Sequence, residues 1–203
     1  MPVTINGDGS ITGLSVGGLG SGVVNTATLA DGAATGVKKG AGSILQVQST
    51  LKTDSSNFTL SGGALSSILF SVNITPSSAS NKILIHAHCS VGLHSDSEGQ
   101  FSMELTKGGS SYTTLAGDAY GSSSRVLAVA YAGEGSQMVY DQQTVAATVM
   151  DTGGSTSAIT YGIAVRLRDN GSCEGRINRH TAGDQNAWDF MPTSGITVME
   201  IAV

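Results

Sequence analysis

KILIHAHCSV, residues 82–91, carries an apolar side chain at every second position from Ile83 to Val91. Side chains at positions i and i+2 share one face of a β-strand, so these apolar residues would all meet a core. An amphipathic helix requires a period near 3.6, which this segment lacks. The segment therefore predicts a strand with one buried face and one outer face.

The same period of two recurs from Ser43 to the end of the chain. Separators rich in Gly, Asn, Asp and Pro divide it into short segments, and DNG at 169–171 is the strongest hairpin signal. About ten such strands without a helical pattern between them predict an all-β fold, a jelly-roll-like antiparallel β-sandwich over residues 43–203. The other predicted strands are SILQVQST, SNFTL, SSILFSVNIT, QFSMELTK, YTTL, RVLAVAYA, SQMVYDQQTVAATVM, SAITYGIAVRLRD, Cys173–Arg179 and GITVMEIAV.

The composition argues against nucleic-acid binding, membrane association and export. The chain has 203 residues, of which 28 are Gly and 12% are charged, with a formal net charge of −5 and only ten Lys and Arg. Nucleic-acid binding and adhesion to an anionic membrane both require a basic surface, so we expect neither. The longest apolar run, Val126–Ala132, is too short for a membrane helix, and the first residues lack the basic and apolar regions of a secretory signal. We therefore expect no membrane insertion and no export.

Residues 1–42 differ from the rest and predict an extended, Gly-rich N-terminal arm. Eleven of these 42 residues are Gly, and the apolar residues are isolated in the sequence. Ordering a residue costs about 1–2 kcal/mol of backbone entropy, which so few apolar side chains cannot offset. We expect the arm to attach to a partner, either another protein or further copies of the chain. Its candidate attachment residues are Ile11, Leu14, Val16 and Leu19.

Four segments resemble the tail-fibre and related surface proteins of bacteriophage particles. They are SITGLSVGGL at 10–19, NITPSSASNKILI at 73–85, ITYGIAVRLRDNGSCEGRINR at 159–179 and SGITVMEIAV at 194–203. The resemblance implies a homotrimer with a β-rich domain that is built into the virion. Tail fibres of this kind carry a long anchor and shaft, whereas only some 42 residues precede the domain here.

The expected function is therefore that of a non-enzymatic virion structural protein on the particle surface. The short arm favours attachment to the major capsid protein or another virion protein, in a decoration, cement or head-fibre role. The alternative is a tail-fibre or receptor-binding tip that adheres to the host surface and contacts a glycan there.

The sequence contains matches to catalytic motifs, but the flanking segments that these motifs require are missing. Gly13–Gly17 matches the G-x-S-x-G nucleophile elbow, but neither a buried strand nor a helix flanks it. Glycosidases need two carboxylates facing a sugar cleft, and the pairs Asp96/Glu98 and Asp184/Asp189 fall in turns or loops. Cys89 and Cys173 are too few for a disulfide framework and are expected to be reduced and buried.

His86 and His88 are the candidate metal ligands. Two residues apart in one strand, both imidazoles project from the face opposite Ile85 and Ala87. Such a pair suits a transition metal, and three copies around a trimer axis would supply six nitrogens. The resemblance supports this reading, and His94 is a possible third ligand across the following turn. The usual alternation of strand faces favours the other explanation, a polar outer face or a hydrogen-bonded subunit contact.

Two further groups are candidate contact residues. Trp188 and Phe190 lie in a polar segment and form a candidate receptor-contact loop, because aromatic residues concentrate binding energy. A small hydrophobic cluster or a subunit contact is the other explanation. Arg166 and Arg168 alternate with apolar residues and would pair, near a three-fold axis, with Glu104 or Glu174 of a neighbour.

Overall fold

The computed structural model describes residues 4–5, 11–12, 40–61, 63–94, 100–131, 141–168, 172–181 and 190–203. The chain divides into two units, Met1–Lys39 and Gly40–Val203. In the first unit, strand β1 (Thr4–Ile5) pairs antiparallel with β2 (Ile11–Thr12). The second unit contains the remaining described strands.

All strand pairs in the second unit are antiparallel, as the alternation predicted. The strands are β3 (Ile44–Lys52), β4 (Ser56–Ser61), β5 (Phe70–Ile74), β6 (Lys82–His94), β7 (Gln100–Lys107), β8 (Ser110–Ser111), β9 (Ala128–Tyr131), β10 (Gln143–Thr152), β11 (Ile159–Leu167), β12 (Ser172–Ile177) and β13 (Ser194–Ile201).

The strands form two sheets that pack face to face as a β-sandwich, which confirms the predicted fold class. The six-stranded sheet has the order β3-β13-β6-β12-β4, with β10 on the other side of β6. The five-stranded sheet has the order β5-β11-β7-β8, with β9 also paired to β7. The outer faces of the two sheets therefore point in opposite directions.

The core lies between the sheets and is built from the alternate positions of their strands. On β6, Ile83, Ile85, Ala87, Cys89 and Val91 are each at most 1% exposed, as the sequence pattern predicted. They face the inward side chains of the five-stranded sheet. The largest fully buried side chains of that sheet are Phe101, Met103, Leu105, Tyr161, Ile163, Leu167 and Ile74.

The hairpin predicted at DNG 169–171 is wrong. Strand β11, before these residues, pairs with β5 and β7, whereas β12, after them, pairs with β4 and β6. The chain therefore crosses from one sheet to the other at this point. A turn motif indicates where the chain changes direction, but it does not determine which strands pair. Pairing depends on which apolar strand faces pack together in the core.

A tight hairpin does form at Lys107–Ser110. Gly108 and Gly109 have φ values of +61° and +86°, and Lys107 pairs directly with Ser110. Two consecutive positive φ angles suit a type I′ turn, whose twist matches that of the flanking strands. Here the local signal and the sheet agree.

The predicted strand YTTL is also wrong. Thr113–Leu115 form a single 3-10 turn that leads away from β8. No helix of the length and apolarity of a membrane span occurs in the part of the chain that the structure describes.

Candidate functional site

His86 and His88 project from the outer face of the six-stranded sheet, on the side predicted for them. His86 is exposed, and its Nδ1 lies 2.8 Å from Thr148 Oγ1 on β10. His88 lies beside Gly195, where a Cβ would come within 3.1 Å of the imidazole Cε1. The pair thus occupies an accessible face.

The metal prediction for this pair stays a prediction. No group of three or more His, Cys, Asp or Glu side chains converges among the described residues. His94 belongs to the same strand, β6, six residues beyond His88. At ~3.3 Å per residue, the Cα atom of His94 is therefore about 20 Å along the strand from that of His88.

Apolar side chains form a continuous row across the same outer face. Val47 on β3 lies opposite Met199 on β13, Met199 opposite Leu84 on β6, and Leu84 opposite Met150 on β10. Val47 is 51% exposed and Met150 44% exposed. Residues directly opposite in antiparallel strands share a face and touch each other, so the row spans four strands.

The next row on one side contains two further apolar residues, whereas the next row on the other side consists of the polar residues Ser49, Thr197, His86 and Thr148. Ile44 and Ile201 flank the row on one side, and Leu51, 62% exposed, lies on the other side beyond the row of His86. We call the set Ile44, Val47, Leu84, Met150, Met199 and Ile201 the outer apolar face. Lys82 carries the one full charge in these rows of described residues.

Strand β3 borders the outer apolar face, and its outer edge is unpaired within the part of the chain that the structure describes. Among the described residues it pairs only with β13, along Ile44–Lys52. The backbone N–H and C=O groups on its other side form a row that can pair with a further strand. Edge and face together form a surface suited to association.

The other predicted site residues lie mostly outside the described residues. This applies to Leu14, Val16 and Leu19 of the arm, to Trp188, and to the carboxylate pairs Asp96/Glu98 and Asp184/Asp189. Ile11 is described only as part of the short strand β2. Phe190 is described, and its side chain is 84% exposed.

Asp151 forms a buried polar centre that sequence reasoning did not identify. Its side chain is 1% exposed, on the inward face of β10. Oδ2 accepts from Tyr161 Oη at 2.5 Å and from Lys107 Nζ at 2.6 Å, and Oδ1 accepts from Tyr112 Oη at 2.8 Å. Burial, together with the bond to this carboxylate, raises the pKa values of Tyr161 and Tyr112. Three donors therefore hold the Asp151 carboxylate in place between the sheets.

Glu200 forms a second buried centre near the end of the chain. Its Oε1 accepts from the Ser77 N–H, the Ser77 hydroxyl and the Asn81 amide, and its Oε2 accepts from Gln46. Burial would raise the pKa of Glu200, but hydrogen bonds from Asn81, Gln46 and Ser77 outweigh it and lower the pKa to about 2. Glu200 thus fastens the turn after β5 to the β3 edge. An acid at an inward strand position, following Ile196 and Val198, is the sequence signal for it.

Glu104 and Arg166 pair within one chain, where the sequence suggested a contact between neighbours. Arg166 Nε donates to Glu104 Oε1 at 2.5 Å, and Arg166 Nη2 donates to Oε2 at 3.3 Å. Glu104 is 3% exposed, on the outer side of β7. Its hydrogen bonds raise the pKa of Arg166. Strands β7 and β11 are adjacent and bring the two side chains together. The sequence alone did not predict this pair, because the two residues are far apart along the chain.

Both cysteines are buried, as expected. Burial raises the pKa of Cys89 to about 12, against a smaller opposing effect of a hydrogen bond with Ser194. Burial also raises the pKa of Cys173 to about 11. Both are therefore packed as thiols in the core.

In comparisons with known proteins, no protein-family model and no curated protein sequence matches the chain.

Proposed function

We propose that this protein is a non-enzymatic structural protein of a bacteriophage particle, a homotrimer that attaches to the capsid surface through its N-terminal arm and displays the β-sandwich. The observation that carries the proposal is the outer apolar face with the open edge of β3 beside it. The resemblance of four segments to virion surface proteins supports the proposal that this assembly is a bacteriophage particle.

Further copies of the same chain are the proposed occupants of the outer apolar face. The chain has a formal net charge of −5, so its copies repel one another over most of their surface. The described rows of this face carry no carboxylate, so copies can approach there with little repulsion. Contact between copies would also cover the open edge of β3. Closed assemblies commonly cover exposed strand edges in this way.

The hydrogen bonds of the two buried carboxylates support a structural role for these carboxylates and for the groups that donate to them. Asp151 and Glu200 each accept three or more hydrogen bonds and are at most 1% exposed. Groups held in this way stabilise one arrangement of strands and turns.

Native mass spectrometry of the full chain and two matched variants tests the assembly. Val47 on the outer apolar face and Val129 on the other sheet are 51% and 58% exposed, so Val47→Glu and Val129→Glu introduce the same charge on opposite faces. We expect trimers for the unmodified chain and for V129E, and monomers for V47E. A monomeric unmodified chain at micromolar concentration, or a trimeric V47E, would contradict the proposal.

Attachment to the particle requires a separate experiment. We expect a chain lacking residues 1–42 to fold cooperatively but to be missing from purified particles. Incorporation of the truncated chain at the normal level would refute the role of the arm.

A receptor-binding tip is the second candidate, and the exposure of Phe190 and Met191 favours it. Their side chains are 84% and 56% exposed, as in an aromatic contact loop. Labelled antibody distinguishes the two candidates, since decoration places the label over the capsid and a receptor-binding tip places it at the tail. Block of adsorption by the free protein would favour the tip.

A further inference from the structure

Strands β3 and β10 lie at opposite margins of the six-stranded sheet and run in opposite directions. Among the described residues, β3 pairs only with β13 and β10 pairs only with β6. Three antiparallel pairings separate the two margins, namely β3 with β13, β13 with β6 and β6 with β10. A rotation about an axis parallel to the strands therefore brings β3 of one copy antiparallel to β10 of the next copy.

Neither strand carries the features that keep an exposed edge from pairing. Such edges are commonly short, or contain Pro or Lys. β3 has nine residues, β10 has ten, and neither contains Pro. Their only fully charged residues are Lys52, the last residue of β3, and Asp151, which is buried between the sheets. Long edges of this kind are suited to pairing with a further strand.

Strand β4 is a further margin of the same sheet and fits β3 less well. It has six residues and pairs, among those described, only with β12. Because β12 is antiparallel to β6 as well as to β4, β4 runs in the same direction as β3. The same rotation would bring β3 and β4 together as parallel strands, whose pairing is slightly less stable per residue.

The width of the sheet suits three copies. Where the outer apolar face lies, the sheet is four strands wide, in the order β3-β13-β6-β10. At ~4.8 Å per strand this width is about 19 Å. Three such sheets joined edge to edge form a triangle whose sides lie about 5–6 Å from the axis, close to half the ~10 Å spacing of packed sheets. The side chains of three outer apolar faces would therefore meet at the axis.

We infer that β3 of one copy pairs antiparallel with β10 of the next, so that the six-stranded sheets of three copies form one closed sheet around the axis. This inference rests on the proposed trimer and adds the strand that contacts β3. Two copies stacked through the outer apolar face would leave both edges unpaired, and two copies joined through β3 would leave the face exposed. Three copies joined in this way cover both edges and the face. Lys82 lies in the end row of the face with Ile44 and Ile201, so its charge falls at the mouth of the closed sheet.

Cysteine pairs on the two edges test this contact in the full chain. Ser49 and Thr148 belong to one cross-strand row and lie three strand spacings apart within a chain. That distance is about 14 Å, whereas a disulfide requires Cα atoms within roughly 7 Å. The double variant S49C/T148C can therefore be linked only between copies. We expect mild oxidation to give covalent trimers on a non-reducing gel for S49C/T148C or, if the edges are staggered by two residues, for S49C/A146C or S49C/M150C.

Two variants serve as matched controls. S49C alone and S49C/T59C, whose second cysteine lies at an exposed position of β4, should remain single chains on the same gel. Dimers of S49C would show that two β3 edges pair, and trimers of S49C/T59C would show that β4 is the partner. Products longer than three chains would show an open assembly. Each of these results would overturn the inference.

Native mass spectrometry of the same variants separates this inference from the proposed function. Trimers that none of the three β3–β10 cysteine pairs can link would overturn the strand pairing and leave the proposed trimer intact. Monomers without cross-links would overturn both.

Discussion

The Tyr161 hydroxyl on β11 donates to the Asp151 carboxylate on β10 across 2.5 Å, and so joins the five-stranded sheet to the six-stranded sheet. Lys107 completes the contact with an ammonium group 2.6 Å from the same carboxylate oxygen and 4.9 Å from the centre of the Tyr112 ring. A buried charge without partners is strongly destabilising, whereas this one has a cation and two phenols. The cluster therefore favours one alignment of the two sheets.

Replacing Asp151 by Asn is expected to lower the free energy of unfolding by about 3 kcal/mol, because it leaves Lys107 without its counter-charge beside the core. Tyr161→Phe, which removes one donor, should lower it by about 1–2 kcal/mol. Urea denaturation measures both. Asp118→Asn, at an exposed position, is the control and should stay within about 0.5 kcal/mol of the unmodified chain. Equal effects of D151N and D118N would show that the cluster contributes little.

Stability should fall in acid through Glu200. Its folded-state pKa of about 2 lies below the ordinary value of 4.5, so the unfolded chain takes up the proton first. The stabilisation is complete above about pH 4.5 and is lost as the pH falls towards 2. Glu200→Gln should therefore be less stable than the unmodified chain at pH 7, with the gap in thermal midpoint narrowing between pH 4.5 and pH 2. A gap that is constant with pH would contradict this.

Gly92 is expected to tolerate no side chain. A Cβ there would come within 2.6 Å of the Arg179 carbonyl oxygen and 2.9 Å of the His180 Cα, both of which belong to the backbone. Gly92→Ala should destabilise by about 1–3 kcal/mol, as overpacking does. Gly117→Ala is the matched control, since a Cβ there meets nothing within 4 Å. Equal denaturation midpoints for the two variants would contradict the close approach.

The two thiols should be unreactive in the folded chain. With pKa values raised to about 12 for Cys89 and about 11 for Cys173, and both side chains buried, little thiolate meets solvent at pH 8. We expect Ellman's reagent to label neither in native buffer and both in guanidinium chloride. Rapid labelling of either cysteine without denaturant would show that its surroundings open.

The metal hypothesis for His86 and His88 makes its own prediction. Purified protein should hold iron, zinc or nickel in a fixed ratio to the chain, and His86→Ala/His88→Ala should remove the metal without unfolding, because both positions lie on an outer face. Elemental analysis by mass spectrometry measures the ratio. Absence of stoichiometric metal would leave the pair as polar residues of the face.

Sequence alternation predicted the strands well and their partners poorly. The inward positions of β6 followed directly from KILIHAHCSV, and the side of the sheet that carries His86 and His88 followed with them. The DNG signal failed because β11 and β12 belong to different sheets. The strand predicted for YTTL, residues 112–115, was wrong because four residues are too few to establish a period.

The amino-acid sequence by itself determined the all-β class, the inward and outer residues of β6, and the contrast in composition between residues 1–42 and the rest. It could do so because alternation and local entropy are properties of consecutive residues. Only the tertiary structure decided which strands pair, and hence that Val47, Met199, Leu84 and Met150 form one row and that Glu104 meets Arg166 62 positions away. Register arises from closing a common core, and no single segment contains that information.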